Sequence, residues 1–138
     1  MSFWFIQVHN QTKIYKDTIM AKFRFEDLEV WELAIEIADH LFDIADDLER
    51  RRLYRFADQL RGAGMSMSNN IAEGSGSRSN KVFIQYLEHA RNSTFENANI
   101  LILMNRRGLV CESDKEVISE ELDKLCRKIT NFQKSLTR

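Results

Sequence analysis

No proline occurs anywhere in this chain of 138 residues, and that absence constrains the fold more than any motif does. Proline punctuates turns, edge strands and helix ends, so a turn-rich sheet protein of this length would use it repeatedly. Ala, Leu, Glu, Lys and Arg are plentiful instead, and these residues lose least on entering a helix. The chain therefore reads as all-α, built from long uninterrupted helices. Its length fits one domain, and an apolar content of 43% is enough for one real core.

Periodicity places four helices at about 27–48, 53–73, 80–107 and 114–136. Asp27 is a good cap for the first, with Phe25 before it as a staple residue. Two apolar stripes run along this helix. Leu28, Trp31, Ile35, Ala38, Phe42 and Ala45 form one; Val30, Ala34, Ile37, Leu41, Ile44 and Leu48 form the other. Together they cover roughly 200° of the surface at about 100° per residue, whereas a single bundle core uses little more than ~100°. The third helix carries Phe83, Leu87, Ala90, Thr94, Leu101 and Met104 on its main face and a second apolar row of Ile84, Phe95 and Ile102. The excess apolar surface predicts self-association, with Val30, Ile37, Leu41, Ile44, Ile84, Phe95 and Ile102 as the candidate subunit interface. The fourth helix is one-sided, with Ile118, Leu122, Leu125, Ile129, Phe132 and Leu136 at steps of 4 and 3 and a capping-box spacing at Ser113–Glu116. Short connections imply antiparallel neighbours, hence an up-down-up-down four-helix bundle.

The second helix is unusually rich in small residues between Leu60 and Glu73. Glycine inside a helix costs about 1 kcal/mol relative to alanine, so Gly62 and Gly64 imply a backbone that a neighbour approaches closely, and Leu53, Phe56, Ala57, Leu60, Ala63, Met67 and Ile71 complete that helix's apolar side. Gly74-Ser75-Gly76 is expected to supply the left-handed residue that ends the helix, after which Ser77 or Ser79 caps the next. Asn70 and Glu73 lie near this terminus and are expected to bond the following turn. Arg106-Arg107-Gly108 is a helix stop in which cations complement the dipole and glycine follows. Residues 1–21 show no sustained period and read as an N-terminal extension that need not be ordered, with Met20-Ala21-Lys22 serving as an ordinary translation start.

The net charge of −1 hides segregation. Residues 26–49 hold ten acidic and no basic side chains, while residues 50–138 hold sixteen basic and ten acidic. Arg50, Arg51, Arg52, Arg55 and Arg61 are the densest basic group, followed by Arg78 and Lys81. Arginine pairs phosphate oxygens bidentately, so these seven residues are the candidate nucleic-acid contacts. The alternative is a set of ion pairs with the acidic first helix, and the sequence leaves both open.

Enzymatic chemistry finds little support. The histidines at 9, 40 and 89 stand alone without a metal-ligand spacing. The serines lack a histidine partner or a nucleophile elbow. The Gly74-x-Gly76 pair follows a helix, which does not suit a phosphate loop. No cofactor, metal or catalytic residue is expected. Cys111 and Cys126 form no CxxC pair, and the apolar N-terminal run is too short for a membrane span, so a reducing, cytoplasmic location is expected.

With these residues in view the chain resembles the bacterial 23S rRNA intervening-sequence proteins over roughly Phe25 to Leu136. The resemblance rests on Phe25-Glu-Asp-Leu-Glu-Val-Trp31 with Ala34, then Gln59-Leu60-Arg61, Ser66, Asn70-Ile-Ala-Glu-Gly74, Arg78-Ser79 with Phe83 and Leu87, and Ala90 through Ser93 to Glu96. It implies a four-helix bundle with Asn70, Glu73 and Gly74 as a structural motif. A related branch, the accessory variability-determinant proteins of diversity-generating retroelements, assembles as a pentamer and binds nucleic acid through a basic surface. The resemblance therefore implies a homo-oligomer, a pentamer, with RNA or DNA and a reverse transcriptase as further partners. Ser68 stands where the family often has proline, which implies a straighter second helix.

Overall fold

The computed structural model describes residues 22–137; the extension expected over residues 1–21 lies outside them. Four helices follow a single 3-10 turn at Arg24–Asp27: α1 (Glu29–Arg50), α2 (Tyr54–Ser75), α3 (Asn80–Arg106) and α4 (Glu112–Leu136). α2 runs through Ser68 without interruption. Cross-helix contacts fix the orientation. Ala63 and Ser66 meet Asn97 and Ser93 respectively; Ile84 and Arg91 meet Gln133 and Thr130; Glu29 and His40 meet Lys128 and Glu121. In each pair an advance along one helix is a retreat along the other, so neighbours are antiparallel. α1 packs on α2, α2 on α3, α3 on α4 and, least extensively, α4 on α1, and among the described residues the backbones of diagonal helices do not approach one another closely. This is the up-down-up-down bundle.

The helix ends show where local signals held and where they did not. Gly108 ends α3 with φ 72°, its N–H donating to Asn105 while that of Leu109 donates to Met104, the paired bonds of a Schellman end. α1 ends in the same way with no glycine. Arg52 takes φ 62°, its N–H donating to Glu49 and that of Leu53 to Leu48. Ser79 caps α3 by accepting from the Val82 N–H. Asp27 does not cap α1. It belongs to the 3-10 turn, because Phe25 stacks on Phe23 at 5.5 Å and meets Trp31 at 5.1 Å, and Leu28 is left at the cap without a side-chain bond. Nor does Ser113 open α4: the α3 stop delivers Val110 straight into the core, so the helix begins one residue after Cys111.

The glycines need a larger correction. Gly76 is right-handed at φ −78°, so Gly74-Ser75-Gly76 supplies no left-handed stop. Gly74 lies inside α2 and is the true close approach: an added Cβ would sit 2.5 Å from Tyr86 Cβ and 2.8 Å from Phe83 Cδ2. At Gly64 the Leu41 and Phe42 side chains stand in ordinary contact, 3.4 and 3.5 Å away, while nothing lies within 4 Å of Gly62.

Core membership also redistributes the two stripes of α1. Val30, Ala34, Ile37, Leu41 and Leu48 are buried, together with Ala38 and Ala45. Val30, Ile37 and Leu41 are thus core residues of a single chain and not subunit contacts, because the stripe that contains them points at the bundle axis. Ile44 is partly buried and packs on the core edge. Phe56, expected in the core, is 41% exposed, since it lies in the first turn of α2 where the bundle ends. All four apolar positions of α4 from Ile118 to Ile129 are buried, as are the six main-face residues of α3.

Candidate functional site

The seven basic residues picked out from the sequence do not form one site. Arg51 Nη1 donates to the Leu109 carbonyl at 3.4 Å, which ties the α1–α2 connection to the α3–α4 connection. Both turns belong to one end of the bundle, and that end gathers Arg50, Arg51, Arg52 and Arg55 beside Arg106 and Arg107. In the sequence Arg106 and Arg107 are visible only as part of a helix stop; the antiparallel topology is what brings the C-terminus of α3 next to that of α1. Asp47 stands 3.8 Å from Arg50 and 3.5 Å from Arg51, too long for strong pairing. Arg52, Arg55, Arg106 and Arg107 are exposed, and no hydrogen bond or ion pair engages their side chains among the described residues.

Arg61 behaves differently. It donates to Asp46 at 2.8 Å and Glu49 at 3.0 Å, and these hydrogen bonds hold its pKa above the usual arginine value. Arg61 thus clamps α2 to the acidic helix, as the ion-pair alternative requires. Arg78 and Lys81 lie past the other end of α2, a helix of 22 residues and therefore ~33 Å long. They cannot share a contact surface with Arg55. Elsewhere the acidic face is clasped by Lys128, whose hydrogen bond to Glu29 lowers that carboxyl's pKa, and at the start of α4 Lys115 does the same for Glu112.

Within the Asn70–Gly74 motif, Asn70 and Gly74 make packing contacts that differ from those expected. Asn70 Nδ2 donates backwards, to the Ser66 carbonyl at 2.8 Å and Ser66 Oγ at 3.3 Å, and not to the following turn. Ser66 Oγ meets Ser93 Oγ across the α2–α3 seam at 2.8 Å. One turn along, the wholly buried Asn97 donates to the carbonyls of Ala63 and Ser93, each at 2.8 Å. Asn97 was not singled out from the sequence; it sits on the helical stripe of Ala90, Thr94 and Leu101, where a lone amide is the signal. Glu73 is exposed and its side chain makes no hydrogen bond or ion pair among the described residues, so the expected bond to the following turn is not formed, because the carboxylate points to solvent; Gly74 admits the α3 side chains.

Two apolar strips remain outside the core. On the α3–α4 flank Phe95 is 59% and Ile102 50% exposed, with Ile84 partly buried. On the α1–α2 flank Met65 is exposed, while Ile35 and Phe42 are partly buried and outside the core cluster. In a four-membered ring of helices these flanks are opposite sides. Among the described residues no cluster of three or more His, Cys, Asp or Glu is arranged to hold a metal ion, and no helix is long and apolar enough to cross a membrane.

The model of the 23S rRNA-intervening sequence protein family matches residues 26–131. The chain belongs to this family. The match takes in α1 to α3 and most of α4, and so both ends of the bundle. Among solved structures, the chain is similar to a protein of unknown function from the S23 ribosomal protein family of Bacteroides thetaiotaomicron VPI-5482. The identity is 21%, the TM-score 0.71, and the alignment covers 76% of this chain and 98% of that one. This likeness shows the four-helix fold. No curated protein matches.

Proposed function

We propose that this member of the family is a non-enzymatic module that associates with copies of itself and acts by presenting a repeated surface. The observation that supports this most is the pair of apolar strips on opposite flanks, Phe95 and Ile102 on one, Ile35, Phe42 and Met65 on the other. Strips of this kind are unusual on a soluble monomer. Two different patches on opposite sides favour a head-to-tail contact, and such contacts generate a closed ring when the rotation closes. A two-fold contact through α1 is disfavoured, because it would bring the exposed Glu32, Glu36, Asp39 and Asp43 of two copies together. The family resemblance implies five members. Light scattering at micromolar concentration is expected to give a multiple of the 16.3 kDa chain mass, and Phe95→Glu with Ile102→Glu to give a helical monomer. A wild-type mass equal to one chain would refute the reading.

A second reading, contact with nucleic acid, is favoured by the arginines that the fold gathers at one end. A ring repeats that end around its axis, so weak phosphate contacts add through multivalency. Arg50, Arg51, Arg52, Arg55, Arg106 and Arg107 are its contact set; Arg61, Arg78 and Lys81 drop out of it.

A further inference from the structure

Beside the arginine-rich end, α2 and α3 part to leave a cleft of about 370 Å³, within the ~300–1,000 Å³ range of small-ligand sites. Phe56, Ile100, Leu103 and Met104 form its apolar walls, and Arg55, Gln59 and Asn99 supply its polar groups. Neither amide makes a hydrogen bond among the described residues, and Phe56 keeps 41% of its surface open. Arg106 and Arg107 follow Leu103 by three and four residues, one turn on along the same side of α3. The clefts along the α1–α4 seam, and the one between α1 and the α3–α4 connection that Arg51 also lines, are different in kind, since each is walled by carboxylates such as Glu29, Asp43 or Asp114. Those acids would repel a phosphate. The α2–α3 cleft has none.

We infer that this cleft takes one unpaired base of a single-stranded nucleic acid, stacked against Phe56 with its edge toward the Gln59 and Asn99 amides, while Arg52, Arg55, Arg106 and Arg107 pair the flanking phosphates. The inference rests on the nucleic-acid reading above and adds the strandedness and the base site to it. Physical chemistry favours this occupant. An aromatic face, free amides and arginines in one place match the three parts of an unpaired nucleotide, whose base is hidden in a duplex. The charge is complementary, because four arginines without carboxylate partners face a polyanion. Stacking and phosphate pairing use nothing on the sugar, so RNA and DNA strands of one sequence are expected to bind alike.

The test is fluorescence anisotropy with the full chain at low salt, using a labelled mixed-sequence single strand and the duplex of the same sequence. The single strand is expected to bind more tightly than the duplex. Phe56→Leu, which keeps the apolar contact but removes the stacking ring, is expected to weaken it roughly tenfold, and Phe56→Trp to retain it. Arg55→Glu with Arg106→Glu is expected to weaken both probes and flatten the salt dependence. Equal affinity for duplex and single strand, or a Phe56→Leu protein that binds as wild type, would overturn the base site while leaving the arginine end as a phosphate surface. Absence of binding by either probe would overturn both readings.

Discussion

Replacing Gly74 by alanine adds one methyl group at a point where α2 and α3 already touch. The new Cβ would lie 2.5 Å from Tyr86 Cβ and 2.8 Å from Phe83 Cδ2, against an optimal carbon–carbon separation of about 3.5–4.0 Å. Tyr86 Cβ is bonded directly to the α3 backbone and has no rotamer by which to withdraw. The helices must therefore move apart by about 1 Å locally, disturbing Phe83, which is fully buried. Overpacking costs about 1–3 kcal/mol, and an approach of 2.5 Å to a Cβ that cannot withdraw belongs to the upper part of that range, about 2–3 kcal/mol; alanine's better helix propensity returns about 1 kcal/mol, so a net loss of about 1–2 kcal/mol is expected. For a chain of this size that is a fall in Tm of roughly 4–8 °C. Gly62 supplies the control. Nothing lies within 4 Å of it, so Gly62→Ala gains the propensity term alone and is expected to raise Tm by a few degrees, ~0.5–1 kcal/mol. Gly64→Ala, with Leu41 at 3.4 Å, falls between the two. Circular-dichroism melts of the three variants at one protein concentration read the order directly. A Gly74→Ala protein as stable as wild type, or a shift of the same sign for Gly62 and Gly74, would refute the assignment of Gly74 as the close contact.

Two further perturbations test the local geometry. Arg52 holds the left-handed position at the end of α1 with φ 62°, a conformation that costs an L-residue roughly 1–2 kcal/mol and glycine nothing; Arg52→Gly is expected to stabilise the bundle by about 1 kcal/mol in a chemical-denaturation titration with an unchanged m value. Asn97→Ala removes both bonds from the buried amide to the Ala63 and Ser93 carbonyls and leaves a small void, so a loss of about 1–3 kcal/mol is expected, read as a lower denaturation midpoint with the helical signal intact.

The helices and most of the core were legible in the chain because burial in a bundle follows a helical period, and Phe83, Leu87 and Leu101 or Ile118, Leu122 and Leu125 repeat with it. The stop at Gly108 and the cap at Ser79 were legible because each depends on one residue and its immediate neighbours. Phe25 misled the start of α1 by stacking on Phe23 and drawing Asp27 into a 3-10 turn. Arg52 gave no sign of its left-handed backbone, since propensity assigns that place to glycine. In the candidate site, Arg50 to Arg55 were visible as a run, whereas Arg106 and Arg107 lie about fifty residues farther on and join them only through the antiparallel return of α3.

Four long helices with more apolar surface than one core consumes follow from the chain alone, because proline content, helix propensity and the 3.6-residue period need no tertiary partner. Packing settled which apolar residues of α1 point inward, drawing Ala38 and Ala45 from one stripe to join Val30, Ala34, Ile37, Leu41 and Leu48 of the other, because two adjacent stripes of similar hydrophobicity are degenerate until α2 and α4 choose between them. The same holds for charge: local sequence cannot tell Arg61, clamped by Asp46 and Glu49, from Arg55, which stands beside an open cleft. That distinction depends on which carboxylates lie across the neighbouring helix, and therefore on the angle at which each side chain leaves its own helix once the four are packed.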